Sequence, residues 1–188
     1  MPEHFASRHA PPTGAGDWLQ TLAPAARFIL QGGPAARAAA GEAFGVPLPE
    51  CQCRANLLEN RAALWLGPDE QLLLGPAEDA QILAADLAAA LTGIAHSLVD
   101  VSHRQIALQV SGSHASAILN AGCPLDLDLA EFPPGMCTRT LLGKADIVLW
   151  RTGAAEFHLE VWRSFSDYVL GCLQEAALDF IVPTARFA

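Results

Sequence analysis

The chain has 188 residues, enough for one compact domain or two tightly packed halves, and it carries a net charge of −9. Only 16% of its residues are charged, against about 25% in ordinary soluble domains, and ten of its eleven basic residues are arginine, Lys144 being the exception. A nucleic-acid binder needs a basic stripe and a membrane helix needs about 18 consecutive apolar residues; the sequence has neither, whereas an arginine-rich, charge-poor surface suits burial against a protein partner.

Residues 1–16 carry three Pro and two Gly with little apolar periodicity, and they read as a flexible arm without the apolar core of a signal peptide. Arg27–Gln31 reads as a strand. Gly32-Gly33 then turns into a helix with Pro34 at its first position and Gly45 at its end. Residues 46–60 are expected to be irregular. A hairpin follows, Ala62–Leu66 and Gln71–Leu74 joined by Gly67-Pro68-Asp69. Glu78 and Asp79 open a second helix whose inner face carries Leu83, Leu87 and Leu91, and Gly93 closes it. Ser97–Val101 and Gln105–Val110 are the next strands, the latter with Ile106, Leu108 and Val110 alternating inward. Ser113 is expected to cap a short helix ending at Gly122.

Strands Thr138–Leu142, Asp146–Trp150 and Glu156–Trp162 follow a Pro-rich turn. A final helix starts at a capping-box-like Ser164/Asp167, with the stripe Phe165, Tyr168, Val169, Cys172, Leu173, Ala176 turned inward. The order β-α-β-β-α-β, β-α-β-β-β-α defines the expected fold class. It is α+β, with two ferredoxin-like halves sharing a core and mostly antiparallel sheets with helices on one face. The expected layout is a single domain over residues 17–178, with sub-halves of about 17–101 and 102–178, and a tail over 179–188. The five cysteines, at 51, 53, 123, 137 and 172, are an odd number without framework spacing, which suits free thiols in a reducing cytoplasm.

Candidate chemistry fails on geometry. Asp100, Ser102 and His103 are the residue types of a hydrolase triad, yet in an extended segment Ser102 and His103 point to opposite sides, so a turn with local side-chain bonds is the better reading. Asp126 and Asp128 share one face of Leu125–Leu129, a pattern that a strand with a solvated side explains without catalysis. Cys51-x-Cys53 lacks a second Cys/His pair at zinc-ligand spacing, and no metal site is expected. Gln31-Gly32-Gly33-Pro34 lacks the residues of a phosphate loop. Trp65, Trp150 and Trp162 all fall on strands, where core packing competes with a role as interface anchors. Trp65, Arg104, Arg139, Trp162 and Arg163 are the candidate interface residues, with Trp162-Arg163 the best pair.

Four stretches carry a more specific signal. They are Ala63-Leu-Trp-Leu-Gly-Pro-Asp-Glu-Gln-Leu-Leu-Leu74, Leu98-Val-Asp-Val-Ser-His-Arg-Gln105, Gly122-Cys-Pro-Leu-Asp-Leu-Asp128 with Phe132-Pro-Pro-Gly135, and Leu159-Glu-Val-Trp-Arg-Ser-Phe-Ser-Asp-Tyr168. In this order, over residues 26–178, they resemble the gamma subunit of heterotetrameric sarcosine oxidase, a relative of the folate-binding aminomethyltransferases. The resemblance implies a structural, non-catalytic subunit of a cytoplasmic complex that converts sarcosine and oxygen to glycine and peroxide, releasing the one-carbon unit as formaldehyde or passing it to tetrahydrofolate.

It further implies that FAD, FMN, NAD, zinc and tetrahydrofolate belong to partner subunits. Those partners would be alpha, beta and delta, chiefly alpha, the largest, and no small-molecule ligand is expected here. Aminomethyltransferases tend to carry two adjacent acids around Gly143–Leu149, where this chain reads Lys144-Ala145-Asp146. Asp146 is therefore the one residue that keeps an alternative open, a free-standing folate-binding C1-transfer enzyme or folate-binding module.

Overall fold

The computed structural model describes residues 17–181, so the expected N-terminal arm and most of the expected tail lie outside the described residues. The chain forms two compact units. One, the host unit, comprises 17–22, Ile106–Pro134 and 139–181. The other, the inserted unit, comprises Ala23–Gln105 and Gly135–Thr138.

The host unit opens with a three-residue strand, β1 (Leu19–Thr21). The inserted unit follows with β2 (Ala25–Gly32), α1 (Pro34–Phe44), β3 (Ala55–Leu58), β4 (Arg61–Gly67), β5 (Glu70–Pro76), α2 (Ala80–Ala90) and β6 (His96–Asp100). Its sheet runs β3-β4-β5-β2-β6, and every neighbouring pair is antiparallel. Without β3 this is the strand order of a βαββαβ ferredoxin-like unit. Apolar residues on one face of the sheet, Phe28, Leu30, Ala63 and Leu73, pack with Ala36, Ala40 and Phe44 of α1 and with Leu83 and Leu87 of α2. The approach is close: a Cβ at Gly75 would meet Leu83 Cδ1 at 2.8 Å, so a larger residue where α2 crosses β5 would force the Leu83 side chain to shift.

Helix α1 begins at Pro34 and ends at Gly45, whose φ of 78° is the left-handed C-terminal conformation glycine favours. Arg61 completes that end. Its Nη1 donates to the Phe44 carbonyl at 3.0 Å, and its Nη2 lies 3.1 Å from Asp79 Oδ2. A cation at a helix C-terminus offsets the partial negative charge of the last carbonyls. Residues 46–60 are not wholly irregular, because β3 pairs with β4 through a two-residue turn. Sequence periodicity misses such a strand because it is four residues long, sits at the sheet edge and leaves Leu57 and Leu58 exposed.

The host unit resumes with β7 (Gln105–Ser111), α3 (Ala115–Asn120), β8 (Cys137–Leu142), β9 (Ala145–Gly153), β10 (Glu156–Trp162) and α4 (Ser166–Ile181), the first residue of β7 and the first two of β8 counting with the inserted unit. Its sheet order is β1-β7-β10-β9-β8. In a ferredoxin-like unit the place beside β7 belongs to the last strand. Here β1 fills it, pairing antiparallel as Leu19↔Val110 and Thr21↔Leu108. The second half is thus completed by a strand from before the insertion, which a reading in chain order could not pair.

Three local expectations are corrected. Leu125–Leu129 is a loop, because Asp126 Oδ1 accepts from Asp128 N–H and Asp128 Oδ1 from Ala130 N–H, both at 2.9 Å, so the carboxylates replace a strand ladder. His114, rather than Ser113, precedes α3, with no side-chain cap. The last helix starts at Ser166 after a short 3₁₀ turn, Arg163–Phe165, and Ser166 Oγ donates to the Arg163 carbonyl at 2.8 Å. Three residues per turn instead of 3.6 rotate the stripe. Val169, Leu170, Leu173 and Ala177 are buried, whereas Phe165 and Tyr168 are exposed.

Candidate functional site

The two faces of the host-unit sheet differ in chemistry. Ile147, Leu149, Arg151, Phe157, Leu159 and Val161 share one face, all buried, with Ile147↔Val161, Leu149↔Leu159 and Arg151↔Phe157 as cross-strand partners. Arg151 is the polar centre of that face. Its Nη1 donates to the carbonyls of Leu127 at 3.0 Å and Phe132 at 2.8 Å, its Nε to Gly153 at 3.2 Å, and its Nη2 to Ala154. The guanidinium also lies 4.7 Å from the Phe157 ring centroid. Burial pulls its pKa down from the ordinary arginine value, and the nearby Asp128 carboxylate pulls the other way. Arg151 thus holds the 123–135 loop, the third of the four family-like stretches.

The opposite face carries the candidate site. The two-residue turn Gly143-Lys144 sets Leu142 opposite Ala145, hence Leu141 opposite Asp146 and Arg139 opposite Val148. Across β9 and β10 the register continues Val148↔Glu160 and Trp150↔His158, and the next step aligns Asp146 with Trp162. Leu141, Asp146 and Trp162 therefore form one row at the turn end of the sheet, with Leu141 43% and Trp162 44% exposed. Around the same end, Phe165 is 41% and Tyr168 40% exposed. The Tyr168 hydroxyl accepts from Lys144 N–H at 3.0 Å, and a Cβ at Gly143, where φ is +60°, would meet that oxygen at 2.3 Å. Leu141 and Trp162 are thus exposed apolar side chains accompanied on that face by Arg139 and Asp146, the mix of an apolar centre with a polar rim found at interfaces.

The structure distributes the sequence-derived interface residues over both units. Arg139, Trp162 and Arg163 lie in the host unit, the first two exposed and Arg163 half-buried. Trp65, on β4 of the inserted unit, is half-buried, and Arg104, in the turn after β6, is exposed. Leu141, Phe165 and Tyr168 escaped sequence reasoning. The available signal was the spacing of three in Trp162, Phe165 and Tyr168, which fits a 3₁₀ entry better than an α-helical core stripe.

The rejected catalytic sets have structural occupations. Asp100 Oδ1 accepts from Ser102 N–H at 2.8 Å, Ser102 Oγ accepts from Arg27 N–H at 2.9 Å, and His103 is exposed. Gly33 simply precedes α1, with Pro34 at its first turn. One acid/base pair was missed: His158 Nε2 and Glu160 Oε1 are 2.8 Å apart, two residues apart on one face of β10. Trp150 tilts against the His158 ring at 5.7 Å and Glu160 is buried, so the pair forms a packed polar contact beneath the exposed row. Among the described residues no three His, Cys, Asp or Glu side chains converge as a metal site, and no helix is long and apolar enough to cross a membrane.

Fold and surface together define an α+β protein of ferredoxin-like units with apolar side chains exposed at the Gly143-Lys144 end of the host-unit sheet. Residues 31–179 match the sarcosine oxidase, gamma subunit family, and the chain belongs to that family. Sarcosine oxidase subunit gamma of Corynebacterium sp. (strain P-1) is 34% identical over 182 residues, 95% of this chain and 89% of that one. The same subunit of an Arthrobacter sp. is 33% identical over 186 residues, covering 97% and 91%.

Among solved structures, a chain of heterotetrameric sarcosine oxidase from Corynebacterium sp. U-96, in complex with pyrrole 2-carboxylate, superposes with a TM-score of 0.85 at 29% identity, covering 95% of this chain and 94% of that one. Glycine cleavage system aminomethyltransferase T from Bartonella henselae shares the fold at a TM-score of 0.64 and 18% identity, over 82% of this chain but only 44% of the enzyme.

Proposed function

We propose that this chain is a non-catalytic structural subunit of a heterotetrameric sarcosine oxidase, assembling with alpha, beta and delta subunits and packing chiefly on the largest. The observation that carries the reading is the likeness, over nearly the full length of both chains, to a chain of a heterotetrameric sarcosine oxidase. Sarcosine oxidation, with FAD, FMN, NAD, zinc and tetrahydrofolate, then belongs to the partner subunits. The local bonds that occupy Asp100, Ser102, Asp126 and Asp128 favour a supporting role for this chain. Asp146 also supports it, being exposed in a row with Leu141 and Trp162, where a folate-dependent transferase needs a carboxylate inside a cleft.

The docking face under this reading is the Leu141–Asp146–Trp162 row with Phe165 and Tyr168. A stable interface buries about 800 Å² per partner, and its central aromatic residues contribute most of the affinity. Co-expression with the three partner subunits is the test. The native chain is expected to co-purify with flavin-bearing chains and to be colourless and inactive toward sarcosine alone. Trp162→Ala combined with Leu141→Ser should weaken assembly by about tenfold or more, the effect of losing a hot-spot residue. A native chain that stays monomeric beside its partners would overturn the assembly reading, and undiminished assembly of the double variant would overturn the choice of face.

A further inference from the structure

All five cysteines carry free thiols, and two of them stand opposite each other in the inserted unit. Residues 53–55 run antiparallel to 135–137. Arg54 pairs with Met136 as an isolated bridge, Cys137 N–H donates to the Cys53 carbonyl at 3.0 Å, and Ala55 N–H donates to the Gly135 carbonyl at 2.8 Å. This register sets Cys53 directly across from Cys137. Residues so opposed have Cα atoms about 4.5–5.5 Å apart. A disulfide spans roughly 4.4–6.8 Å between Cα atoms, a range that includes this separation.

The surroundings differ for the two thiols. Cys137 is buried, with its Sγ 3.5 Å from the Trp65 carbonyl it donates to, whereas Cys53 is half-buried and within reach of solvent. Burial, and to a smaller degree Cys53, raises the Cys137 thiol pKa, in keeping with the opposed register. Cys53 also holds a φ of +55°, an uncommon conformation for a residue with a side chain, and such strain concentrates where a side chain must be presented in a set direction. Cys51, although exposed and only two residues away, has no place in this register.

We propose that Cys53 and Cys137 are a redox-active pair that low-molecular-weight disulfides oxidise. The Cys53 thiolate attacks one sulfur of a small disulfide RSSR, whose S–S bond breaks; one RS⁻ leaves and takes up the proton Cys53 released. The Cys137 thiol then gives its proton to solvent and attacks the Cys53 sulfur, forming the Cys53–Cys137 bond and expelling the second RS⁻, which is protonated in turn. Two cysteine thiols are oxidised and one small disulfide is reduced to two thiols. The product staples the 135–137 crossing onto the 53–55 segment. This inference is independent of the assembly reading, since it concerns the chain alone.

The test is incubation of the folded, full-length chain with oxidised glutathione, followed by denaturation, alkylation and peptide mapping without reduction. The expected result is the loss of two alkylatable thiols of the five, a Cys53 peptide joined to a Cys137 peptide, and reversal by dithiothreitol. Cys137→Ala should arrest at a glutathione adduct on Cys53, and Cys51→Ser should leave the cross-link intact. Two results would overturn the pairing: glutathione retained on Cys53 of the native chain while Cys137 stays alkylatable, or Cys51 replacing either partner in the cross-link. Because the native chain alone yields the map, a misfolded variant does not weaken the test.

Discussion

Replacing Arg151 with methionine keeps the length and apolar stem of the side chain but removes the guanidinium. Four carbonyls then lose a donor, and they are not equivalent. Gly153 and Ala154 lie in a turn that is half-buried to exposed, so water can replace Arg151 there. The Leu127 and Phe132 carbonyls belong to buried residues and receive bonds from a buried Nη1 at 3.0 and 2.8 Å, so nothing replaces the donor unless the loop opens. Hydrogen bonds from a charged donor contribute ~1.5–3 kcal/mol each, and two of them, allowing for partial relaxation of the loop, give about 3–5 kcal/mol.

The Phe157 stacking contact adds about 2 kcal/mol and is partly kept by the methionine sulfur. Urea unfolding of the native chain and the Arg151→Met variant measures the difference. In a melting experiment it corresponds to about 6–20 °C, at ~2–4 °C per kcal/mol for a chain of this size. Hydrogen exchange should quicken first in residues 123–134. A variant within about 1 kcal/mol of the native chain, with unchanged exchange in that loop, would refute the assignment of Arg151 as its anchor.

Further outcomes follow from the same surroundings. Gly143→Ala combines a left-handed backbone with a collision against the Tyr168 hydroxyl, and should destabilise by about 2–3 kcal/mol. The same change in a Tyr168→Phe background should cost measurably less, and equal costs in thermal unfolding would exclude the collision. Gln71 is fully buried with neither amide atom bonded, so Gln71→Met should raise stability by about 1–2 kcal/mol, and a lowered melting temperature would count against this.

Cys137 supplies a pH signature, because burial pushes its thiol from 9.0 up to about 12. Below pH 9.0 both states hold the proton and this group adds no slope; between pH 9.0 and about 12 the unfolded chain has lost a proton that the folded chain keeps. Stability therefore falls with rising pH, by about 1.4 kcal/mol per unit from this group. Cys137→Ser should flatten urea midpoints measured across the lower part of that window, and an unchanged slope would rule the group out.

Much of the inserted unit is legible in the chain because its elements announce themselves locally. Pro34 and Gly45 bracket α1, Leu83, Leu87 and Leu91 mark one buried face, and Gly67-Pro68-Asp69 turns a hairpin. The host unit is less legible. Strand β1 has three residues and its partner β7 lies more than 80 residues away, so no local pattern reveals the pairing. Leu125–Leu129 alternates like a strand, yet the Asp126 and Asp128 carboxylates bond the backbone amides of Asp128 and Ala130.

The sequence by itself determined the family, through the order of four distinctive stretches, and it determined the α+β class, since capping residues and side-chain periodicity act within a few residues of each other. Only the tertiary structure decided which strand closes the second unit, which carbonyls Arg151 holds, and that Leu141, Asp146 and Trp162 align in one exposed row. Those outcomes rest on hydrogen-bond register and burial between segments far apart in the chain, and register carries no local residue signature when both faces of a strand are apolar.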